Sequence, residues 1–468
     1  METNEKKNDI EALKKELLSN AKNTFAVMSD EQLEAAQVYA EDYKKFLDGG
    51  KTERECVKEA VELLEKNGFT PYSFGKSVKS GEKYYYNNRS KSLVAFIVGS
   101  EGIENGVYFS AAHIDSPRVD LKQHPLYEDT GIAYLKTHYY GGIKKYQWTT
   151  IPLSLHGVVT KKNGETIDIV IGEDDKDPVL YISDLLPHLA GEQMKKTLAE
   201  GITGEQLNLI VGSRPYDKDT PNTVKLAVMK LLNEKYGIIE DDFLSAELCA
   251  VPAVRSRDVG LDRSMIASYG HDDRVCAYPS LTALVSQNAP KHTVMAILAD
   301  KEEIGSEGNS GMQSAVYFDI IADLAKTFGV SDAVVRANSK CLSSDVNAAF
   351  DPNFPSPMEK NNCCYVNSGV VITKFTGARG KSGSNDASAE FCGYVRQVLD
   401  GAGVVWQTGE LGKVDAGGGG TVAKFIASKN VDVIDLGVPV LSMHAPYEVV
   451  SKNDVYMTHL GIKAFFEA

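Results

Sequence analysis

Apolar segments of strand length alternate with helix-like segments in two separated regions of this chain. The strand-like runs are residues 92–100 (SLVAFIVGS), 106–115 (GVYFSAAHID), 292–300 (HTVMAILAD) and 431–439 (VDVIDLGVP). Amphipathic helices are predicted over residues 275–287 and 386–399. Continuous apolar strands that alternate with helices are typical of a parallel sheet covered on both faces. The predicted fold is α/β, with a three-layer domain around a mostly parallel central sheet.

A stretch of the chain between these two regions has a different pattern. Its β-type segments are residues 133–140, 166–171 and 179–182. A polar helical stretch and the helix-like segment KLAVMKLLNEKYG follow them. We predict that residues 118–254 form a β-rich domain inserted into the first one. Residues 1–117 and 255–468 then form the two parts of the interrupted domain.

Charge, hydropathy and cysteine content exclude several classes of function. The formal net charge is −14, with 64 acidic and 50 basic residues, so the surface repels nucleic acids and anionic membranes. The first residues, METNEKKNDIEALKKELL, lack the apolar core of a secretory signal, and no later run approaches the ~20 apolar residues of a membrane span. The 7 cysteines are odd in number and form no Cys-x-x-Cys pair, which is typical of reduced thiols. The predicted compartment is the cytoplasm.

Five short clusters carry residues suited to metal binding and catalysis, and four of them follow apolar strand-like runs. In open α/β sheets, ligands bind at the carboxyl ends of the strands. The clusters contain His113 and Asp115 (AAHIDSPR), Asp272 and Asp273 (YGHDDRVC), Glu302 and Glu303 (ILADKEEIGSEG), Asp345 (CLSSDVN) and His444 (PVLSMHAP). Taken alone, each cluster could serve a structural role instead of a catalytic one, such as forming a turn or capping a helix N-terminus. Together they predict one site.

The residue types in these clusters favour a pair of divalent metal ions. Two histidines and three carboxylates (Asp272, Glu303 and Asp345) are ligands that suit zinc-type ions. Clustered carboxylates would repel one another without cations. Two ions about 3.5–4 Å apart activate water and stabilise a tetrahedral intermediate. Glu302, next to Glu303, has the position of a general base whose neighbour binds metal.

Other motifs in the chain carry less information. GARGKSGS has too few residues between its glycines for a phosphate-binding loop, and neither His-Glu-x-x-His nor Gly-x-Ser-x-Gly occurs. The run DAGGGGTVAKF places Gly418 and Gly419 before a helix-like segment. Their backbone N–H groups could bind an anion or a substrate carbonyl, and the alternative is a tight strand-to-helix turn.

In order and spacing, these clusters resemble the aspartyl aminopeptidase family of co-catalytic dizinc metallo-aminopeptidases. His-x-Asp-Ser-Pro, Asp-Asp, Glu-Glu-x-Gly-Ser-Glu, Ser-x-Asp and Met-His occur in the family's order, and Gly-x-Gln-Ser follows the third of them. The resemblance covers nearly the whole chain. It implies roles for seven residues: His113 and Asp345 bind one metal, Glu303 and His444 bind the other, Asp272 bridges both, Glu302 is the general base and acid, and Asp115 orients His113.

The resemblance also implies an activity and an assembly. The expected enzyme is a metalloprotease that hydrolyses the N-terminal residue from peptides, using two zinc ions per subunit and a metal-bridged water activated by Glu302. Cobalt or manganese could replace zinc. Family members are homo-oligomers that form tetrahedral dodecamers, with the inserted domain in the dimer contacts. The predicted partners are peptide substrates and other copies of the chain.

Substrate preference is where the chain departs from the family pattern. GVVITK places Thr373 where eukaryotic members have a basic residue, and Lys374 comes one position later, on the opposite face of a strand. The inserted stretch keeps His188 but has Glu192 where a second histidine is usual. The candidate substrate-binding residues are His188, Lys374, Gly418 and Gly419. A preference for acidic N-terminal residues is left open.

Two other functions fit the same residues. A di-metal amidohydrolase that deacylates N-acyl amino acids would use the same ligands with a different pocket. A non-enzymatic scaffold could keep the peptidase fold, although it would have no need of five ligands and Glu302 together.

Overall fold

The structure is a computed structural model that describes residues 2–19 and 22–468. Its strands are β1 (Thr70–Pro71), β2 (Lys83–Asn88), β3 (Ser92–Ile97), β4 (Val107–His113), β5 (Arg118–Asp129), β6 (Ile132–Tyr140), β7 (Pro152–Thr160), β8 (Thr166–Ile171), β9 (Leu180–Tyr181), β10 (Leu209–Gly212), β11 (Ala246–Pro252), β12 (Arg257–Val259), β13 (Met265–Ser268), β14 (Thr293–Ala299), β15 (Lys340–Ser343), β16 (Asn347–Ala348), β17 (Val370–Thr373), β18 (Trp406–Thr408), β19 (Asp432–Gly437), β20 (Pro439–Leu441) and β21 (Glu448–Ser451). The α-helices are α1 (Glu2–Leu17), α2 (Thr24–Val27), α3 (Asp30–Gly49), α4 (Glu53–Lys66), α5 (Leu198–Gly201), α6 (Val224–Tyr236), α7 (His271–Val285), α8 (Val316–Thr327), α9 (Asp332–Asn338), α10 (Ala389–Gly401), α11 (Ala423–Ala427) and α12 (Lys452–Glu467).

A nine-stranded sheet forms the centre of the larger part of the molecule, in the order β1-β2-β3-β14-β4-β15-β19-β17-β18. Five of its eight neighbouring pairs are parallel, including the three central pairs that join β14, β4, β15 and β19. Helices α3, α4, α7, α10 and α12 pack on one face, and α8, α9 and α11 pack on the other. The predicted three-layer α/β fold with a mostly parallel sheet is confirmed.

The central strand β4 has apolar side chains on both faces of the sheet because both faces are covered. Tyr108 and Ala112 contact the core under α7 and α12, whereas Phe109 and Ala111 contact the core under α8. All seven residues of β4 are buried. Because neither face of the strand meets water, the apolar run continues up to His113, the first polar side chain of the site.

A second sheet lies between β4 and β13 in the sequence and has the order β11-β5-β6-β10-β9-β7-β8. An additional pairing of β11 with β7 makes it barrel-like. Its strands are antiparallel, and they enclose a separate core around Trp148 and Leu209. The β-rich character predicted for this stretch is confirmed, and the boundaries at residues 118 and 254 stay a prediction. We call residues 118–254 the inserted segment.

A third, five-stranded sheet has the order β12-β13-β21-β20-β16 and joins the start of α7 to the C-terminal part of the chain. Helix α7 was predicted to begin at residue 275, and the assigned helix spans His271–Val285. Asp272 and Asp273 have non-helical backbone dihedral angles, so regular helical geometry begins after them, close to the predicted start.

Two further features of the described residues agree with the sequence analysis. All seven cysteines are free thiols, and six of them are buried. Across residues 2–19 and 22–468, no helix combines the length and the apolar character needed to span a bilayer.

Candidate active site

Polar side chains meet where the central parallel strands end. His113 is the last residue of β4, Glu302 and Glu303 follow β14, and Asp345 follows β15. The carboxyl ends of neighbouring parallel strands lie at one edge of the sheet, so residues far apart in the sequence come together there. His444 reaches the same place from the loop after β20.

Asp272 lies at the centre of this group, between the two histidines. Its Oδ1 atom is 3.1 Å from His113 Nε2, and its Oδ2 atom is 3.2 Å from His444 Nε2. Further carboxylates stand on each side: Asp345 Oδ1 is 3.8 Å from His113 Nε2, and Glu303 Oε2 is 3.6 Å from His444 Nε2. Asp272 therefore lies between a pair formed by His113 and Asp345 and a pair formed by Glu303 and His444.

Two overlapping groups of donor atoms are close enough to hold a metal ion. His113, Asp272 and Glu303 form one group, and His113, Asp273 and Asp345 form the other, with donor atoms within 4.8 Å of one another in each. Asp273, which was not predicted as a ligand, is buried, and its Oδ2 accepts a hydrogen bond from the His113 backbone N–H.

The chemistry of this donor set fits zinc. Within the described part of the chain, Glu303 Oε1 and Asp273 Oδ1 are buried without any hydrogen-bond partner. A buried carboxylate oxygen without a partner is costly unless a cation satisfies it. Imidazole nitrogens and carboxylate oxygens are zinc ligands, and no softer sulfur ligand is present in either group.

Several carboxyl groups of the site are buried close to one another, and this raises their pKa values. Burial, together with the Asp272 charge, raises the pKa of Glu303 well above its usual value. Burial and the nearby Asp273 raise the pKa of Asp345 in the same way. Burial raises the pKa of Glu302 to about 7, against the opposing influence of His113. Cations bound among these carboxyl groups would stabilise their ionised forms.

Asp115 holds several parts of the site in place. The His113 Nδ1 atom lies 3.0 Å from the Asp115 backbone oxygen and 3.3 Å from its carboxylate Oδ1. The same carboxylate accepts hydrogen bonds from the backbone N–H groups of Glu302 and Glu303 and from the hydroxyl of Tyr140. Asp115 therefore fixes the orientation of the His113 ring and of the Glu302–Glu303 backbone.

A cavity of about 530 Å³ opens over these side chains. Its walls include Gly418 and Gly419, which were predicted as substrate-binding residues, and the side chains of Asn347, Leu411 and Met443. A cavity of this size is in the usual range of small-ligand sites in proteins. The glycine-rich run therefore lies beside the predicted metal ligands, in the long loop between β18 and α11.

The other two predicted substrate-binding residues lie elsewhere in the chain. Lys374 pairs with Asp386 and lines a separate cavity with Trp406 and Cys392. His188 is exposed in the inserted segment. Neither residue lines the cavity over the metal ligands, so their substrate roles stay predictions.

Sequence reasoning missed several residues that contact the site. Glu448 is buried and accepts hydrogen bonds from the backbone N–H groups of both Asp272 and His444. Gly142 of the inserted segment accepts a hydrogen bond from His444 Nδ1 at 2.8 Å. The sequence signals were the glutamate four residues after His444 and the paired glycines in YYGGIK. Without the fold, neither signal shows which residue the glutamate or the glycines contact.

Comparison with known proteins agrees with this geometry. The family profile described as aminopeptidase I zinc metalloprotease (M18) matches residues 46–466. The chain belongs to the M18 family of zinc aminopeptidases. It is 49% identical over 459 residues to the probable M18 family aminopeptidase 1 of Clostridium acetobutylicum, an alignment that covers 96% of this chain and 99% of that protein.

Solved structures of M18 proteins show the same fold. The crystal structure of the M18 aminopeptidase of Thermotoga maritima has a TM-score of 0.91 and 44% identity, covering 96% of this chain and 99% of that one. The S. cerevisiae mApe1 dodecamer shares the fold at a TM-score of 0.75 and 22% identity, covering 93% of this chain and 97% of that one. This M18 chain is therefore a zinc metallo-aminopeptidase, and the predicted enzyme class and metal are confirmed.

Proposed function

We propose that this M18 aminopeptidase is a dinuclear zinc enzyme that removes the N-terminal residue of peptides, with Glu302 as its general base. The observation that carries this proposal is the placement of Asp272, whose two carboxylate oxygens face different histidines. His113 and Asp345 would hold one ion, Glu303 and His444 the other, and Asp272 both. Asp273 is a further carboxylate near this site, with an oxygen within 4.8 Å of donor atoms of His113 and Asp345.

The proposed mechanism assigns the proton transfers to Glu302. Bound zinc ions supply Lewis-acid polarisation of the scissile carbonyl and increase the acidity of water. Glu302 Oε2 lies 3.9 Å from His113 Nε2, at the wall of the cavity. There its carboxylate accepts a proton from the attacking water and then donates that proton to the leaving amine. Asp115 keeps Glu302 in this position through the backbone N–H.

The family match supports an aminopeptidase rather than a deacylase, because the matched profile describes an aminopeptidase. Four carboxylates, those of Asp272, Glu302, Glu303 and Asp345, line the cavity, and two bound zinc ions would balance their charge. A free amino terminus has more N–H groups to donate to these carboxylates than an acylated nitrogen, which has one.

Blocking the amino terminus is expected to lower turnover. A peptide with a free N-terminus should be hydrolysed about 100-fold faster than its N-acetylated twin, because hydrogen bonds to charged groups contribute about 1.5–3 kcal/mol. A panel of peptides covering all N-terminal residues, assayed with and without a chelator, measures this difference. The chelator should abolish cleavage of every peptide, and added zinc should restore it. Cleavage of only the acetylated form would identify a deacylase.

Lys424 is the group that we expect to interact with acidic N-terminal side chains. Among the described residues, it is the only lysine or arginine that lines the cavity. Lys424→Met should lower kcat/KM for N-terminal Asp and Glu up to about fivefold and leave Leu unchanged, since an exposed ion pair contributes about 0.2–1 kcal/mol. Lys374→Met is the matched control, because Lys374 lines a different cavity. A selective loss in the Lys374 variant would instead support the role predicted for that residue.

We also propose that the enzyme acts as a homo-oligomer in the cytoplasm. The dodecamer of S. cerevisiae mApe1 supports a homo-oligomer. The family resemblance implies that its subunits have a tetrahedral arrangement. Residues 118–254 would form the dimer contacts. Among the exposed large apolar side chains of that segment, five lie within residues 185–198: Leu185, Leu186, Leu189, Met194 and Leu198. A cluster of exposed apolar side chains is typical of a subunit interface.

A further inference from the structure

A turn of the inserted segment contacts both halves of the proposed metal site. It consists of Tyr140, the last residue of β6, and the two glycines that follow, and we call residues 140–142 the YGG turn. Strand β6 belongs to the seven-stranded sheet, whereas the predicted ligands extend from the other two sheets and helix α7. The YGG turn therefore extends from the seven-stranded sheet to a site whose predicted ligands belong to the rest of the molecule.

Tyr140 acts on the first histidine through Asp115. Its hydroxyl donates a hydrogen bond of 2.8 Å to Asp115 Oδ2, and the Asp115 side chain is fully buried. The other contacts of that carboxylate are the His113 ring and the backbone N–H groups of Glu302 and Glu303. A carboxylate that orients a ligand histidine is itself held by hydrogen bonds in well-ordered metal sites. Tyr140 supplies such a bond.

The Tyr140 ring is in turn fixed to the rest of the molecule. The Arg118 guanidinium lies 4.1 Å from the centre of the ring, within the range of a cation–π contact. Arg118 also pairs with Glu53 of α4 at 2.7 Å. The phenol therefore has little freedom to move away from Asp115.

Gly142 acts on the second histidine directly. Its carbonyl oxygen accepts a hydrogen bond from His444 Nδ1–H at 2.8 Å. A proton on Nδ1 leaves Nε2 with a free lone pair, and Nε2 is the atom that faces Asp272 and Glu303. The His444 side chain is 35% exposed, so it depends on this carbonyl more than a fully packed ring would.

The two glycines allow this close approach. A Cβ atom at position 142 would lie 3.3 Å from His444 Nδ1. A Cβ atom at position 141 would lie 3.2 Å from Glu303 Oε2, and Gly141 has a φ of +74°, which favours glycine. A side chain at position 141 or 142 would crowd Glu303 or His444, the two residues proposed to hold the same zinc ion.

We propose that the YGG turn is a positioning element for the metal site, through which the inserted segment orients His113 by way of Asp115 and sets the tautomer of His444. This inference rests on the proposed ligand roles of those residues. It makes the seven-stranded sheet part of the machinery that tunes zinc binding, in addition to any role in assembly.

The first test removes one hydroxyl from the full-length protein. Tyr140→Phe keeps the ring on Arg118 but loses the hydrogen bond to Asp115. We expect zinc affinity, measured by competition with a chromogenic chelator, to fall about 10–100-fold, as for other residues that orient metal ligands. kcat should fall with KM unchanged, and the melting temperature of the zinc-free protein should stay the same. Tyr139→Phe is the matched control on the same strand, where the side chain is exposed.

The second test changes the turn itself. Gly142→Ala should displace the His444 ring and lower the zinc content towards one ion per subunit. Gly191→Ala is the matched control, because a Cβ atom there meets no atom within 4 Å. Wild-type zinc affinity and stoichiometry in both Tyr140→Phe and Gly142→Ala would overturn the inference. The proposed function would survive that result as long as the wild-type protein holds two zinc ions, and it would fail separately if the wild-type protein held only one.

Discussion

Glu302→Gln is expected to lose about 10²–10⁴-fold of kcat while the protein keeps its zinc, because a positioned general base contributes that much to a proton transfer. Glutamine has the same shape as glutamate, so the hydrogen bond from the residue 302 N–H to Asp115 should persist. Its amide oxygen accepts hydrogen bonds but does not take up a proton from water. The effect should therefore appear in kcat, with KM almost unchanged.

Two measurements on purified protein decide this result. Steady-state kinetics on a free-amino peptide gives kcat, and elemental analysis gives zinc per subunit. Glu307→Gln is the matched control, since Glu307 is exposed in the loop that follows the same strand. A Glu302→Gln enzyme with kcat within tenfold of the wild type would refute the assignment of Glu302. Lost zinc would instead show that Glu302 serves mainly to hold the ions.

Asp272→Ala should have a comparably large effect through a different cause. Removing this carboxylate takes away the oxygens that face His113 and His444, so both proposed sites lose a ligand at once. We expect fewer than two zinc ions per subunit and activity below detection. Added zinc should also stop raising the melting temperature, because a ligand stabilises a fold only to the extent that it binds.

The Asp272 prediction needs a control for folding, since the side chain is buried. Asp272→Asn keeps the shape and one carbonyl oxygen, so this variant should fold like the wild type but bind zinc more weakly than the wild type does. Circular dichroism of the zinc-free proteins compares their folds. Two zinc ions in Asp272→Ala, together with normal turnover, would show that Asp272 does not bridge the site.

The order of strands and helices is the part of this structure that the sequence indicated best. A strand such as β4, buried on both faces, is apolar along most of its length, and this leaves a visible run in the sequence. The polar residue that ends such a run then marks the edge of the sheet where ligands collect, which is why His113, Glu303 and Asp345 could be singled out. The start of α7 was also close to the prediction, because the non-helical Asp272 and Asp273 precede the regular turns that carry its apolar pattern.

Substrate-binding residues were harder to predict because their positions depend on loops. Gly418 and Gly419 do line the cavity, whereas Lys374 follows β17, next to the edge strand β18, and lines a different cavity. A shift of one residue along a strand reverses the face on which a side chain lies. The sequence therefore indicated that Lys374 could face away from the cavity. It did not indicate that Lys424, from the short helix α11, would line the cavity instead.

By itself, the sequence determined the fold class and a short list of metal-binding residue types, because burial and coordination chemistry restrict which amino acids can stand at those positions. The tertiary structure alone decided which atoms face one another. Gly142 and His444 are 302 positions apart, and their hydrogen bond exists because two sheets with separate cores pack against each other. A backbone carbonyl has no residue type to mark it, so a contact of this kind leaves no trace in the sequence.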